Sequence, residues 1–330
     1  MRDEKVHSPL DAAIASFVAH QRAFGRRNMQ AAYILRALGQ FAGDKGADDL
    51  SASLFEQWSK AQRKLSPTTL YGRQLLVRKM CLHRRRSEPA CFVPDPAGFA
   101  RPRPYPAPVI LTRTQIATML QAADQLAPSW HSPLRAATMR IAVVLLYTAG
   151  LRRGELVRLQ LGDVDAENGV LHIRESKFHK SRWIPLSSDA CRELREYLRK
   201  RLRKPYDLRP TAPLLCNRSR AYGHMGWHAF CGPGIAQGLL TLFDRAGVRD
   251  AHGRRPRVQD MRHSFAVQAL VRWYRQGGDV QTHLPKLALY MGHVSIVSTA
   301  YYLHFIPQVA ALASKRFDRH YSYLIESGAS

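Results

Sequence analysis

Thr148-Ala149-Gly150-Leu151-Arg152-Arg153-Gly154-Glu155-Leu156 closes a strongly apolar stretch that begins near Leu134. The spacing predicts a strongly apolar helix over about Leu134–Ala149. Gly150 ends it, because glycine takes the left-handed conformation of a helix C-terminus at little cost. Arg152 then opens the next element, a cation set down beside the core. C-terminal to it the hydrophobic period changes. Val170-Leu171-His172-Ile173 and Trp183-Ile184-Pro185-Leu186 are short and β-prone, and the polar stretch between them holds Lys177, His179 and Lys180. That pattern predicts a β-hairpin. Helices are expected near Cys191–Arg201, Ile235–Ala246, Ser264–Tyr274 and Leu284–Met291. On the N-terminal side, Thr112 followed by Gln115 forms a capping-box signal ahead of Ile116, Met119 and Leu120.

Further out lies a second helical region. Leu10, Ile14, Phe17 and Val18 recur at helical spacing, Met29 to Phe41 repeats the pattern, Ser51 can cap a third helix, and Ser66-Pro67 can start a fourth. The fourth carries Arg73, Arg78, Lys79, Arg84, Arg85 and Arg86, read as a face for DNA phosphates against the alternative of a solvated basic face. Pro89, Pro94, Pro96, Pro102, Pro104, Pro106 and Pro108 follow. Proline fixes φ and has no N–H, so this stretch predicts an extended linker. The expected organisation is a helical domain over 1–88, a linker over 89–109 and a second domain over 110–330. The fold class is mainly α with a small β-sheet.

Charge narrows the partners. The 330 residues hold 50 Lys+Arg against 25 Asp+Glu, a formal net charge of +25. Such a chain calls for a polyanion, and nucleic acid is the first candidate because binding releases condensed counterions. A membrane surface is the weaker alternative. No apolar run approaches the roughly 18 residues of a spanning helix, and the N-terminus does not read as a signal peptide. Cys81, Cys91, Cys191, Cys216 and Cys231 are odd in number and form no CxxC pair. That argues against a disulfide framework and fits a reduced, cytoplasmic setting.

Four segments carry the chemistry: Thr148–Leu156, Ser176-Lys177, Gln259-Asp260-Met261-Arg262-His263-Ser264-Phe265-Ala266, and Met291-Gly292-His293 through Tyr301-Tyr302. Together they resemble the tyrosine recombinase (phage integrase) family, closely over about Leu111–His304 and loosely over Leu10–Arg86. The resemblance implies a helical core-binding domain before a catalytic domain. It also implies strand cleavage through a 3′-phosphotyrosine. In that reading Arg152 and Arg262 clamp the phosphate, Tyr302 is the nucleophile nine residues after His293, Lys177 is the general acid, and His293 hydrogen-bonds the phosphate. The residue types suit the task. Guanidiniums match phosphate oxygens and stay charged. A phenol with a pKa of about 10 needs a base or a strongly positive field before it can attack.

Tyr301 is a rival to Tyr302, but helical neighbours point about 100° apart and the motif favours Tyr302. Lys180 competes with Lys177. Glu155 and Asp163 are read as structural partners orienting the arginine segment. Gln259 stands where the family usually has His, and Gln cannot take a proton at neutral pH. His263 is one group that could substitute. The segment Trp273–Leu284 is longer than usual. No GxxxxGK[ST] loop, HExxH or paired-cysteine site is present, so neither ATP nor an essential metal is expected. Double-stranded DNA is the implied partner, with a homo-tetramer assembled on it, other recombinases as further partners, and Val309–Phe317 as a short helix that either docks on a neighbouring protomer or packs on its own domain. Two alternatives stay open: a topoisomerase-like nicking-closing enzyme, and a catalytically silent or accessory DNA-binding member of a recombinase set.

Overall fold

The computed structural model describes residues 8–25, 29–104, 106–174, 181–221, 224–277, 280–293 and 295–305. The chain divides into two compact units, one ending at Pro106 and one starting at Ala107.

The N-terminal unit packs α1 (Pro9–Ala23), α2 (Met29–Asp44), α3 (Ala52–Ala61) and α4 (Pro67–Arg84). Ser8, Ser51 and Ser66 cap α1, α3 and α4 by accepting from the backbone N–H of Asp11, Leu54 and Thr69. Each bond satisfies a donor that the first turn would leave orphaned. The apolar stripe of α1 (Leu10, Ile14, Phe17) meets Leu35 and Leu38 of α2, Trp58 of α3, and Val77 and Met80 of α4. Part of the proline-rich stretch lies against this unit. Ala100 N–H donates to Gln74 Oε1 (2.9 Å) and Arg103 N–H to Thr68 Oγ1 (3.1 Å). The Arg78 guanidinium donates to the Pro94 carbonyl, and Phe99 is buried.

The second unit opens with α5 (Arg113–Asp124), whose Thr112–Gln115 capping box is fully formed. It continues through α6 (Arg135–Thr148) and α7 (Arg153–Arg158). An antiparallel sheet follows, of β1 (Val164–Asp165), β2 (Val170–Ile173) and β3 (Arg182–Pro185), in the order β1-β2-β3. Leu171 pairs with Ile184, and His172 with Trp183. Next come α8 (Ser188–Arg201), a hairpin of β4 (Cys216–Ala221) and β5 (His224–Ala229), and α9 (Gly232–Arg245). Then α10 (Val258–Arg275), α11 (Val280–Met291) and α12 (Val297–Ala300) lead to a 3-10 turn over Tyr301–Phe305.

Helix α6 is the spine of the main core. Ile141, Ala142, Val143, Leu145 and Leu146 are all buried, which is why the run is so apolar, while Arg140 reaches out of it to pair with Asp124 and Glu193. A second cluster joins α10, α11 and the 3-10 turn through Val267, Leu270, Leu287, Met291 and Tyr302.

The structure corrects two expectations. Between α8 and α9, where no strand was expected, the chain holds the β4–β5 hairpin, whose Arg, His and Gly content masks any apolar alternation. Helix α10 starts six residues before the expected Ser264, at Val258, because Asp260 accepts from the Arg257 N–H (2.8 Å) and caps an N-terminus without Ser, Thr, Asp or Asn at the cap itself. The long Trp273–Leu284 segment holds the turn between α10 and α11, and Trp273 stacks on His283 across it, ring centroids 4.9 Å apart. Among the described residues no helix is long and apolar enough to cross a membrane.

Candidate active site

Gly150 takes a left-handed φ of 59° after α6. A Cβ there would stand 2.5 Å from Cδ1 of Phe265, so glycine is required on two grounds. The turn delivers Arg152 to the cap of α7, where Glu155 accepts from both its backbone N–H (2.9 Å) and its Nη1 (2.8 Å). Arg152 Nη2 donates to the Gly292 carbonyl (2.9 Å). Arg262, in the second turn of α10, is almost wholly buried; it donates to the Gly150 carbonyl and, through Nη2, to the Met291 carbonyl (2.5 Å). Arg182 of β3 donates to both carboxylate oxygens of Glu155 (3.1 and 2.9 Å) and to the Tyr290 carbonyl (2.7 Å). A left-handed Gly292 leaves space for it, since a Cβ there would lie 2.8 Å from Arg182 Nη1.

Glu155 thus stands among three guanidiniums, with Arg262 Nη1 4.0 Å from its Oε2. Backbone carbonyls fix the geometry of these arginines but cancel no charge, so the ion pairs of this cluster leave it strongly positive. Burial, and next Arg152, push the Arg262 pKa down to about 9, still above neutral pH.

Tyr302, in the 3-10 turn, faces this field. It is 3% exposed, and its hydroxyl lies 3.0 Å from Nδ1 of His263. Burial raises its pKa, while Arg262 and Arg152 draw it down. The His293 ring stacks near the Tyr302 ring at 6.2 Å, and its Nδ1 is 2.7 Å from Oγ1 of the buried Thr299. Burial and then Arg262 and Arg152 lower the His293 pKa to about 4, so the ring is neutral at pH 7.

Residues 110–308 match the profile of the Phage integrase family. The chain belongs to the phage integrase family. A protein of Sinorhizobium fredii (strain NBRC 101917 / NGR234) named as integrase/recombinase y4rB is 33% identical over 294 residues, covering 87% of this chain and 90% of that protein. Tyrosine recombinase XerD of Rhizobium meliloti (strain 1021) is 28% identical over 284 residues, covering 83% and 81%. The fold is shared with XerH site-specific recombinase bound to palindromic difH in a post-cleavage complex (TM-score 0.62, 16% identity, 96% and 98% covered). It is also shared with the Tn1549 transposon integrase in complex with transposon right end DNA (TM-score 0.61, 16% identity, 93% and 98% covered).

In this integrase-family chain the structure brings Arg152, Arg262, His293 and Tyr302 together. Gln259 lies exposed in the first turn of α10, and Tyr301 is 40% exposed. Lys177 and Lys180 lie outside the described residues, as does Val309–Phe317. Glu155 holds the arginine segment, as its position suggested. Asp163 does not; it accepts from the Gln160 N–H (2.9 Å) and pairs with Arg174 (2.6 Å) beside the sheet.

Among the basic residues of α4 and its C-terminal end, Lys79 and Arg85 are exposed, while Arg73 and Arg78 are half-buried and bonded to Gln62 and the Pro94 carbonyl. Arg84 is a correction. Its side chain is 9% exposed and engaged by Asp49 and Glu88, which takes it out of any outward basic face. Sequence reasoning missed Arg182 and Thr299. The strand period was the signal for Arg182, which shares a face of β3 with the buried Ile184. An inward cation needs a carboxylate.

Proposed function

We propose that the chain is a site-specific DNA recombinase that cleaves and rejoins strands through a phosphotyrosine at Tyr302. The observation that carries this reading is the gathering of Arg152, Arg262, His293 and Tyr302, from elements far apart in sequence, into one cluster rich in positive charge, where the two arginines bond the Gly292 and Met291 carbonyls and the His293 and Tyr302 rings lie 6.2 Å apart. A phosphodiester seated there would place its non-bridging oxygens against the two guanidiniums, where charge builds during in-line attack. With the Thr299 hydroxyl donating to Nδ1, His293 keeps its proton on Nε2 and offers it to a phosphate oxygen. Lys177 would protonate the departing 5′-oxygen, as the family resemblance implies. The phosphotyrosine ester keeps the bond energy, so a DNA hydroxyl can reverse the step without ATP.

Double-stranded DNA is the proposed partner. The relatives' names include integrases and recombinases, and the structural neighbours' descriptions include DNA complexes. A tetramer on two DNA segments and a role in integration, transposition or resolution of a mobile element complete the proposal.

The test is trapping on a nicked suicide duplex that carries the terminal sequences of the element encoding the chain. An SDS-resistant protein–DNA adduct that Tyr302→Phe abolishes is expected. Absence of any adduct on DNA that the chain binds would instead favour a silent DNA-binding protein, the reading that Gln259 supports.

A further inference from the structure

Gln259 is exposed and carries an amide, so it offers the site no proton acceptor. One helical position past Arg262, the His263 ring does what Gln259 cannot. Its Nδ1 is 3.0 Å from the Tyr302 hydroxyl, and the two rings lie 5.5 Å apart at 56°. The distance is that of a direct hydrogen bond, within the reach a general base needs. The other histidine beside Tyr302 is engaged elsewhere, since Nδ1 of His293 faces the Thr299 hydroxyl.

We propose that His263 is the catalytic residue that accepts the Tyr302 proton. The inference rests on the strand-cleavage reading and assigns a step within it. As the Tyr302 oxygen forms its bond to phosphorus, its proton passes to Nδ1 of His263, the bond from phosphorus to the 5′-oxygen breaks, and the leaving oxygen takes a proton from the general acid. In the rejoining step a 5′-hydroxyl attacks and gives its proton back to the deprotonated general acid, the phosphorus–Tyr302 oxygen bond breaks, and His263 returns its proton to the departing phenolate oxygen.

The chemistry of the ring agrees. With Nε2 protonated, the Tyr302 hydroxyl donates to the Nδ1 lone pair, and the imidazole is poised as an acceptor before the phosphate arrives. Burial first, then Arg257 and Arg262, keep the ring neutral at pH 7 against the opposing pull of Asp260. Asp260 is itself held by Arg257, at 2.8 Å. No second proton acceptor is hydrogen-bonded to the Tyr302 hydroxyl among the described residues. The placement also accounts for a buried nucleophile, because the same hydrogen bond satisfies a hydroxyl that burial would otherwise leave unpaired.

The experiment is single-turnover adduct formation on the nicked suicide duplex, comparing the natural chain with His263→Gln and His263→Ala, alongside DNA affinity and melting temperature. Loss of a general base typically costs about 10²–10⁴-fold in rate. His263→Gln, whose amide can still bond the hydroxyl, is expected to slow by that range with unchanged DNA affinity. Added imidazole is expected to restore part of the His263→Ala rate. A duplex with sulfur replacing the 5′-bridging oxygen, which leaves without a proton, is expected to restore neither variant. Should His263→Ala lose its fold, His263→Gln decides alone. Adduct formation by His263→Gln within about threefold of the natural rate overturns the assignment, and so does full rescue by the sulfur substrate. Failure of the natural chain to form any adduct would refute strand cleavage itself, a separate outcome from a fast His263→Gln.

Discussion

Changing Glu155 to Gln perturbs the centre of the site without touching a proposed reacting atom. The carboxylate is 1% exposed in its side chain and accepts from Arg152 Nη1 and from both terminal nitrogens of Arg182 at 2.8–3.1 Å. An amide keeps one acceptor oxygen and turns an NH2 toward a guanidinium. Hydrogen bonds to charged groups are worth about 1.5–3 kcal/mol each. Removing one partner of a buried ion pair costs about 3–5 kcal/mol because the other charge stays buried. We therefore expect Glu155→Gln to lose about 3–5 kcal/mol of stability in the second unit. For a unit of this size that is a fall of about 6–20 °C in melting temperature. Calorimetric melting of the full chain measures it. The repulsion that remains is among three guanidiniums, so sulfate, which can sit between them, should recover part of the loss where chloride at equal ionic strength does not. A loss below about 1 kcal/mol, or equal recovery in sulfate and chloride, would refute the view that Glu155 organises the arginines by charge.

Neighbouring residues respond in their own ways. Gly150→Ala must place a side chain at a φ of 59° against the ring of Phe265, so it should cost about 2–4 kcal/mol in denaturant unfolding, combining backbone strain and overpacking. His263 and His293 both have pKa values held below the ordinary 6.5 by burial. The unfolded state then binds protons that the folded state refuses, so stability is complete above pH 6.5 and erodes as pH falls toward about 4, where His293 titrates. Urea midpoints should therefore drop between pH 7.5 and pH 5, and an unchanged midpoint would contradict the burial of these rings. On DNA, replacing the exposed Lys79 and Arg85 by Ala should reduce the slope of log affinity against log salt by about 0.9 for each phosphate no longer neutralised. Arg84→Ala should lower the melting temperature of the N-terminal unit and leave that slope alone.

Much of the architecture was legible because burial writes itself into period. The strongly apolar α6, the capping box of α5 and the hairpin of β2 and β3 each carry a signal that local physics enforces. Arg152, Arg262, His293 and Tyr302 were singled out through the resemblance of their segments to the family's motifs, and their meeting is a product of tertiary structure. Strand β1 spans only Val164–Asp165 and is too short to show alternation. The β4–β5 hairpin hides for a different reason. Its packing uses Arg218 over the Trp130 ring and Tyr206 against Trp227, pairings between residues that read as surface positions in a linear sequence. Arg84 misled because a cation in a basic run looks solvent-facing until Asp49, distant in sequence, is found beside it. His263 was ambiguous in sequence, since nothing in a one-dimensional spacing says which ring nitrogen would meet a hydroxyl 39 residues away.

Everything proposed for this chain turns on whether Tyr302 becomes covalently joined to DNA. The natural chain can be trapped on the nicked suicide duplex, the adduct digested with protease and nuclease, and the modified residue located by mass spectrometry. The expected product is a peptide carrying a 3′-phosphoryl nucleotide on Tyr302. A nucleotide on Tyr301 or any other residue would show that the nucleophile has been misassigned.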